Sequence, residues 1–448
     1  MKNEITDGSV FKSILSFSLP YLLSYFLQTL YGMADLFIIG QFNGVECTTA
    51  VSIGSQVMHM LTVIIVGLAM GSTVVIGQAA GAKRYSEVSQ AIGNTVCLFS
   101  AAAAVFTVIL LCLVDPIVSV MSTPTEAVSS TVTYLTICFI GIPFITAYNV
   151  ICSIFRGMGD SKSPMYFVAI ACAANIALDY LFIGGFHMGA AGAALGTTVS
   201  QVISVVISLI FILKRKTGIH LSSSDFKPSA VTMGKLLKIG VPVALQDGFI
   251  QVSFLMITLF ANRRGLTDAA AVGIVEKIIA ILFLVPSSML STVSALAAQN
   301  IGAGRYDRAR QILKYAMILS VSFGIISAAA MQFAAEPAVA LFADSSSEVI
   351  IAGGQYMRGY VWDCILAGIH FCFSGYFCAC GRSEISFLHN SISILCARIP
   401  LSYFAAKHFT DTLFPMGLAP AAGSALSVII CVLVYVRLSK KQNIVIQE

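Results

Sequence analysis

The sequence predicts an all-α integral membrane fold: twelve transmembrane helices in two six-helix lobes, related by pseudo-two-fold symmetry about the membrane normal. Three observations carry this. Of the 448 residues, 57% are hydrophobic and only 10% charged, whereas a soluble domain carries about 25% charged residues. The apolar residues fall into twelve runs, each long enough to cross a bilayer. The second half of the chain also repeats landmarks of the first.

In chain order the apolar segments are 13–40, 48–79, 91–114, 127–152, 164–185, 189–213, 239–261, 269–298, 312–335, 349–378, 385–406 and 415–436. About 20 residues suffice to span the hydrocarbon as a helix. Backbone groups exposed to lipid have no water to bond, so helices are the only spanning structure open to such segments. Met1 to Asp7 is polar, and the first apolar run is too long for a signal peptide, so it is read as a retained first span. Loops on one side, with both termini, hold 20 of the 26 basic residues, among them Lys2, Lys83, Arg84, Arg156, Arg215, Lys216, Arg305 and Arg308. The opposite loops hold three: Arg263, Arg264 and Lys407. Positive loops stay inside, so both termini are expected in the cytoplasm of a bacterial-type inner membrane.

Leu19-Pro20 returns as Val241-Pro242, and Gly159-Asp-Ser161 as Gly381-Arg-Ser383, each at an offset of 222. Gln78-Ala-Ala-Gly-Ala-Lys-Arg-Tyr85 returns as Gln299-Asn-Ile-Gly-Ala-Gly-Arg-Tyr306, at 221. With six spans per repeat both halves run the same way, a parallel repeat known among transporters. The expected organisation is an N-terminal lobe over 1–213, a cytoplasmic linker over 214–238 and a C-terminal lobe with its tail over 239–448. Two such halves suit a cleft that opens to either side in turn.

Asp35 is the single charge between Ser13 and Gly40. Asp179 is a second acid within a span. An intramembrane acid costs about 2.5–3.5 kcal/mol on insertion scales and is read as functional by default. Each precedes the glycine that ends its span by five residues, about 7–8 Å below one surface. Tyr31 and Asn175 lie four residues before Asp35 and Asp179, so each shares a face with its acid. Thr197 sits about 12 Å deep in the sixth span, near enough to close the same pocket. At the repeat offset Asp35 corresponds to Ile257 and Asp179 to Leu401, so the acids are private to the first half. Such a pocket suits H⁺ or Na⁺: crowded, desolvated carboxylates hold protons, and an all-oxygen shell over Asp35, Asn175, Asp179 and Thr197 suits a hard cation.

The motifs identify a resemblance. Pro20, Gln28-x-x-Tyr31-x-x-x-Asp35, the Gln78…Tyr85 loop, Arg156-Gly-Met-Gly-Asp160-Ser-Lys-Ser-Pro164, Asn175-x-x-x-Asp179 and Gly192-Ala-Ala-Leu-Gly-Thr197 together resemble the multidrug and toxic compound extrusion (MATE) family. The pattern is similar to its archaeal and damage-inducible-type branch. The resemblance implies secondary antiport, in which H⁺ or Na⁺ enters while an organic, cationic or amphipathic compound leaves. It implies ion binding by Asp35, Asn175, Asp179 and Thr197, with Tyr31 and Gln28 nearby. Branches with a second-half cation site use an acid in the seventh span; this chain reads Phe249-Ile-Gln251 there.

Other polar residues within spans are expected to line the substrate path or to brace it. Asp247, Gln246 and Gln251 fall on the cytoplasmic half of the seventh span. Glu276 and Lys277, in the eighth, are neighbours that cannot face each other; Glu276 is either an auxiliary cation-attracting group or one half of a structural pair. Asp363 and Arg398 reach similar mid-membrane depth and are expected to pair as a buried bridge, Asp363 being otherwise a substrate contact. The spans of the first lobe are read as free of Arg and Lys. That disfavours the nearest rival, a lipid-linked saccharide flippase of the same superfamily, whose polyanionic cargo wants several cations.

The twelve cysteines sit mostly in apolar runs and read as small hydrophobes. No His/Cys/Asp cluster has metal-ligand spacing, and no nucleophile motif or phosphate loop appears. The expectation is a transporter and not an enzyme, without cofactor or nucleic-acid partner, acting as a monomer on small organic molecules within the lipid bilayer.

Overall fold

The computed structural model of the chain describes residues 4–214, 221–343 and 347–447. Lys2, Arg215, Lys216 and the first part of the expected linker lie outside the described residues. Nearly all of the rest is helical. Among the described residues, nine helices are long and apolar enough to cross a membrane, from Val10–Phe42 to Phe414–Leu438. Two further spans are bent pairs: Thr125–Ile140 with Ile142–Gly157, at 48°, and Glu348–Tyr360 with Asp363–Ala379, at 41°. Gly141-Ile-Pro143 explains the first bend, because proline lacks the N–H that the preceding turn needs and crowds its carbonyl.

The remaining expected segment, 385–406, is helical from Ser383 to His408 but wound as a π turn over Ile394–Arg398. Its His389, Asn390 and Arg398 keep it below the apolarity of the others, and all three are buried. A second π turn, Tyr180–Gly185, follows directly on Asp179. Helices start earlier than hydropathy alone suggests: the first at Val10, and the seventh span at Ala230.

The chain divides into two compact units. One comprises Leu15–Ala244 with Gly302–Gly304; the other holds the chain up to Ile14, Leu245–Ile301 and everything from Arg305 on. The described part of the expected linker, 221–238, therefore belongs to the first unit. Ile38, Ile39, Val51, Tyr134, Leu135, Phe139 and Ile183 form that unit's principal core. In the second unit the corresponding core includes Ile257, Phe260, Val275, Tyr356 and Met416. Ile257, the counterpart of Asp35, is fully buried there.

In the second unit the N-terminal segment is held by side chains from the repeated loop. Arg308 donates to the Ile5 carbonyl at 3.1 Å, and Arg305 to the Thr6 carbonyl and to Asp7, each at 2.7 Å. In the first unit the linker is gripped by Asn94. Its amide donates to the carbonyls of Asp225 and Lys227 at 3.3 Å, and its oxygen accepts from Ser229 N at 2.7 Å. Gly93 makes this approach possible, since a Cβ there would stand 2.2 Å from the Asp225 carbonyl. Asn94→Ala removes the partner of these half-exposed backbone groups, a loss of about 1 kcal/mol. The purified variant should unfold at lower temperature in detergent than the parent, and an unchanged midpoint would remove the clasp from the fold's supports.

Candidate functional site

The site is assembled from three elements of the first unit. The first span (Val10–Phe42) supplies Tyr31 and Asp35, helix Lys162–Asp179 supplies Asn175 and its last residue Asp179, and helix Gly189–Lys214 supplies Gly196 and Thr197. Asp35, Asn175 and Asp179 are buried, at 4%, 1% and 0% exposure. Thr197 Oγ1 donates to Asp35 Oδ2 at 3.2 Å. The two carboxyl groups meet, with Asn175 beside Asp35 and Tyr31 close by. Five of the six expected ion-site and neighbouring side chains thus converge: Tyr31, Asp35, Asn175, Asp179 and Thr197. Gln28, two turns before Asp35, is half-buried and makes no described contact with them.

Local backbone geometry sets this up. Asp179 ends an α-helix and the next turn is π-wound, a distortion found often at functional positions. Gly196 then lets the carboxylate press against the neighbouring helix, because a Cβ on residue 196 would lie 2.1 Å from Asp179 Oδ1. The Gly192–Thr197 motif contains this glycine, but the sequence reading gave it no role. Its signal is a glycine inside a helix with no turn to make, which points to close packing.

The chemistry follows from what is left unpaired. Asp35 Oδ1, both Asp179 oxygens and both Asn175 amide atoms are buried without a hydrogen-bond partner among the described residues. Buried polar groups are nearly always paired, and two carboxylates in contact cannot both be ionised without something positive between them. A shared proton satisfies this. So does a hard cation, for which Asp35, Asp179, Asn175 Oδ1 and Thr197 Oγ1 offer an oxygen-only set. No group of three His, Cys, Asp or Glu side chains that could hold a metal occurs among the described residues.

The other polar residues belong to the second unit. Glu276 accepts from Thr258 at 3.3 Å through one oxygen and keeps the other buried and unpartnered. Lys277 points elsewhere and is exposed. Asp247 and Gln251 are half-buried, beside a Gln246 that accepts from Ser386 at 2.6 Å. The expected Asp363–Arg398 bridge is not made. Both Asp363 oxygens lack a partner, while Arg398 donates to Tyr360 Oη at 2.6 Å and lies 4.8 Å from the Phe254 ring centroid. The expectation rested on equal depth counted along the sequence, but Asp363 opens a helix beyond a 41° bend, and Arg398 ends a π turn beside the aromatic groups. The expectation of no cation in the first lobe's spans also fails. Helix Ile142–Gly157 runs past the apolar segment, and its Arg156 is buried at 8% exposure.

Comparisons with known proteins agree with this architecture. The MatE family model matches residues 20–181 and again 242–404, two copies beginning 222 residues apart. The chain is 28% identical over 367 residues to the probable multidrug resistance protein YoeA of Bacillus subtilis, covering 80% of this chain and 79% of that protein. It is 25% identical over 379 residues to the multidrug export protein MepA of Staphylococcus aureus, covering 84% and 83%. Its fold superposes on an outward-facing multidrug resistance MATE transporter with a TM-score of 0.91, at 22% identity over 98% of each chain.

The contact at Gly196 gives a test of the site's packing. Gly196→Ala should cost about 1–3 kcal/mol by overpacking, read as a lower unfolding temperature of the purified protein. Adding Asp179→Ala should return most of that loss, because the clashing carboxylate is gone. Additive effects of the two changes would mean that they do not touch.

Proposed function

Because the chain belongs to the MatE family, and is therefore a multi-pass membrane transporter and not an enzyme, we propose that it is a cation-coupled antiporter. H⁺ or Na⁺ taken up at Asp35 and Asp179 drives the export of organic, cationic or amphipathic compounds across the cytoplasmic membrane by alternating access. The observation that carries this reading is the buried acid pair with five unpartnered polar atoms, at a place where the second half packs Ile257.

Coupling runs through the first span. Asp35 is fixed to that span, whereas Asp179 and Thr197 stand on its neighbours. A proton or Na⁺ between the carboxylates replaces repulsion with attraction and draws the outer part of the span inward. Further along the same helix, Pro20 interrupts the hydrogen-bond ladder, and Ser24 Oγ caps its carbonyl at 2.8 Å. A helix weakened there can bend without losing a bond it never had. Closing the span on its neighbours shrinks the space beside Asp35, so ion uptake and compound release share one element. The twenty-to-three loop charge supports cytoplasmic termini, and nothing in the site calls for more than one copy of the chain.

The flippase reading finds little support: among the described residues the first unit buries Arg156 and the second Arg398, too few for a polyanionic cargo. Purified protein in liposomes, assayed for dye efflux under a pH gradient and separately under a Na⁺ gradient, tests the proposal. The parent should respond to one gradient. Asp35→Asn and Asp179→Asn should each lower that response by roughly the 5- to 150-fold that a coupling free energy of about 1–3 kcal/mol carries. Undiminished efflux in Asp35→Asn would end the proposal.

A further inference from the structure

Arg156 lies in the last turn of helix Ile142–Gly157, inside the first unit. Only 8% of its surface is exposed, yet it has no ion pair and no hydrogen bond among the described residues, and its Nε is buried without a partner. One face of the guanidinium is covered by the Tyr21 ring, 4.2 Å to the centroid. Tyr25, Tyr148 and Cys152 complete its surroundings. The nearest acid in sequence, Asp160, is engaged by the following helix: it accepts from the backbone of Lys162 and Ser163, each at 3.0 Å, and from Ser163 Oγ at 2.7 Å.

A buried guanidinium is normally matched by a carboxylate or phosphate, often through two parallel hydrogen bonds. An aromatic face offsets part of the desolvation but accepts none of the N–H groups. A second donor stands close by, for Tyr148 Oη is also buried and unpartnered. Beside these donors runs an apolar wall of Ile151, Phe155, Phe167 and Val168, with Leu27 packed on it. Two unpaired donors against an aromatic wall describe a receptor for an oxyanion on an apolar body.

We propose that Arg156, with Tyr148, binds the carboxylate or phosphate of an amphipathic anion. Its two donors are different side chains from those of the Asp35–Asp179 niche. The anion can come from a transported compound or from an anionic phospholipid, and the two sources share the same headgroup chemistry. A transporter with this site accepts molecules carrying negative as well as positive groups, which widens its substrate class beyond organic cations.

The full chain in phosphatidylcholine nanodiscs would be titrated with 11-(dansylamino)undecanoic acid and with its methyl ester. The acid should bind about tenfold or more tightly than the ester. Arg156→Gln should reduce the acid to the ester's affinity, and Arg156→Lys should keep part of the preference. If the natural anion is a lipid, adding phosphatidylglycerol should abolish the acid's advantage, and native mass spectrometry should find phosphatidylglycerol retained by the parent but lost from Arg156→Gln. The parent alone decides the first comparison, so a variant that fails to fold leaves the test intact. Equal binding of acid and ester to the parent, together with phosphatidylglycerol retention unaffected by Arg156→Gln, overturns the proposal. That result would leave the cation-coupling reading standing.

Discussion

In hydrocarbon every polar group must find its partner inside the protein, and the whole structure answers to that rule. It makes the spans helical and sends Asn94 to grip the linker's carbonyls. It also makes the exceptions informative. A serine or threonine meets the rule cheaply by bonding the carbonyl one turn back, as Ser24, Thr29 and Thr62 do. Asp35, Asn175 and Asp179 do not, although they are among the most buried side chains in their unit. Their unmet valence is what a small cation would fill.

Much of the fold was legible because it depends on length and apolarity, which a sequence states directly. The repeat was legible for the same reason, and the family model begins its two matches at the same 222-residue offset that Pro20 and Pro242 mark. Bends were less visible. Gly141-Ile-Pro143 has the chemistry of a break, but the apolar run passes straight over it. The π turns at Tyr180–Gly185 and Ile394–Arg398 have no sequence signal of their own, and both re-aim charged side chains.

The site divides along similar lines. Residues one turn apart on a helix share a face, so the pairing of Tyr31 with Asp35 and of Asn175 with Asp179 could be read in advance. The meeting of different helices could be read only by depth. Depth served for Asp35, Asp179 and Thr197, which stand on adjoining helices, and it misled for Asp363 and Arg398, which were expected at one level but make no bridge. Arg156 was assigned to a loop because hydropathy falls at Gly157-Met-Gly, yet the helix continues to Gly157 and carries the side chain inward. Composition cannot separate the last turn of a buried helix from the first residues of a loop.

Ile257 has a consequence for the history of such chains. Two halves born as copies began with equal chances of carrying the acid. Once one copy packs isoleucine with no surface exposed, restoring aspartate there would put a charge into a packed cluster that includes Phe260 and Val275. Several neighbours would have to change in concert before the reversal became tolerable. The division of labour between the halves is thus self-locking: packing has turned an accident of drift into a one-way step.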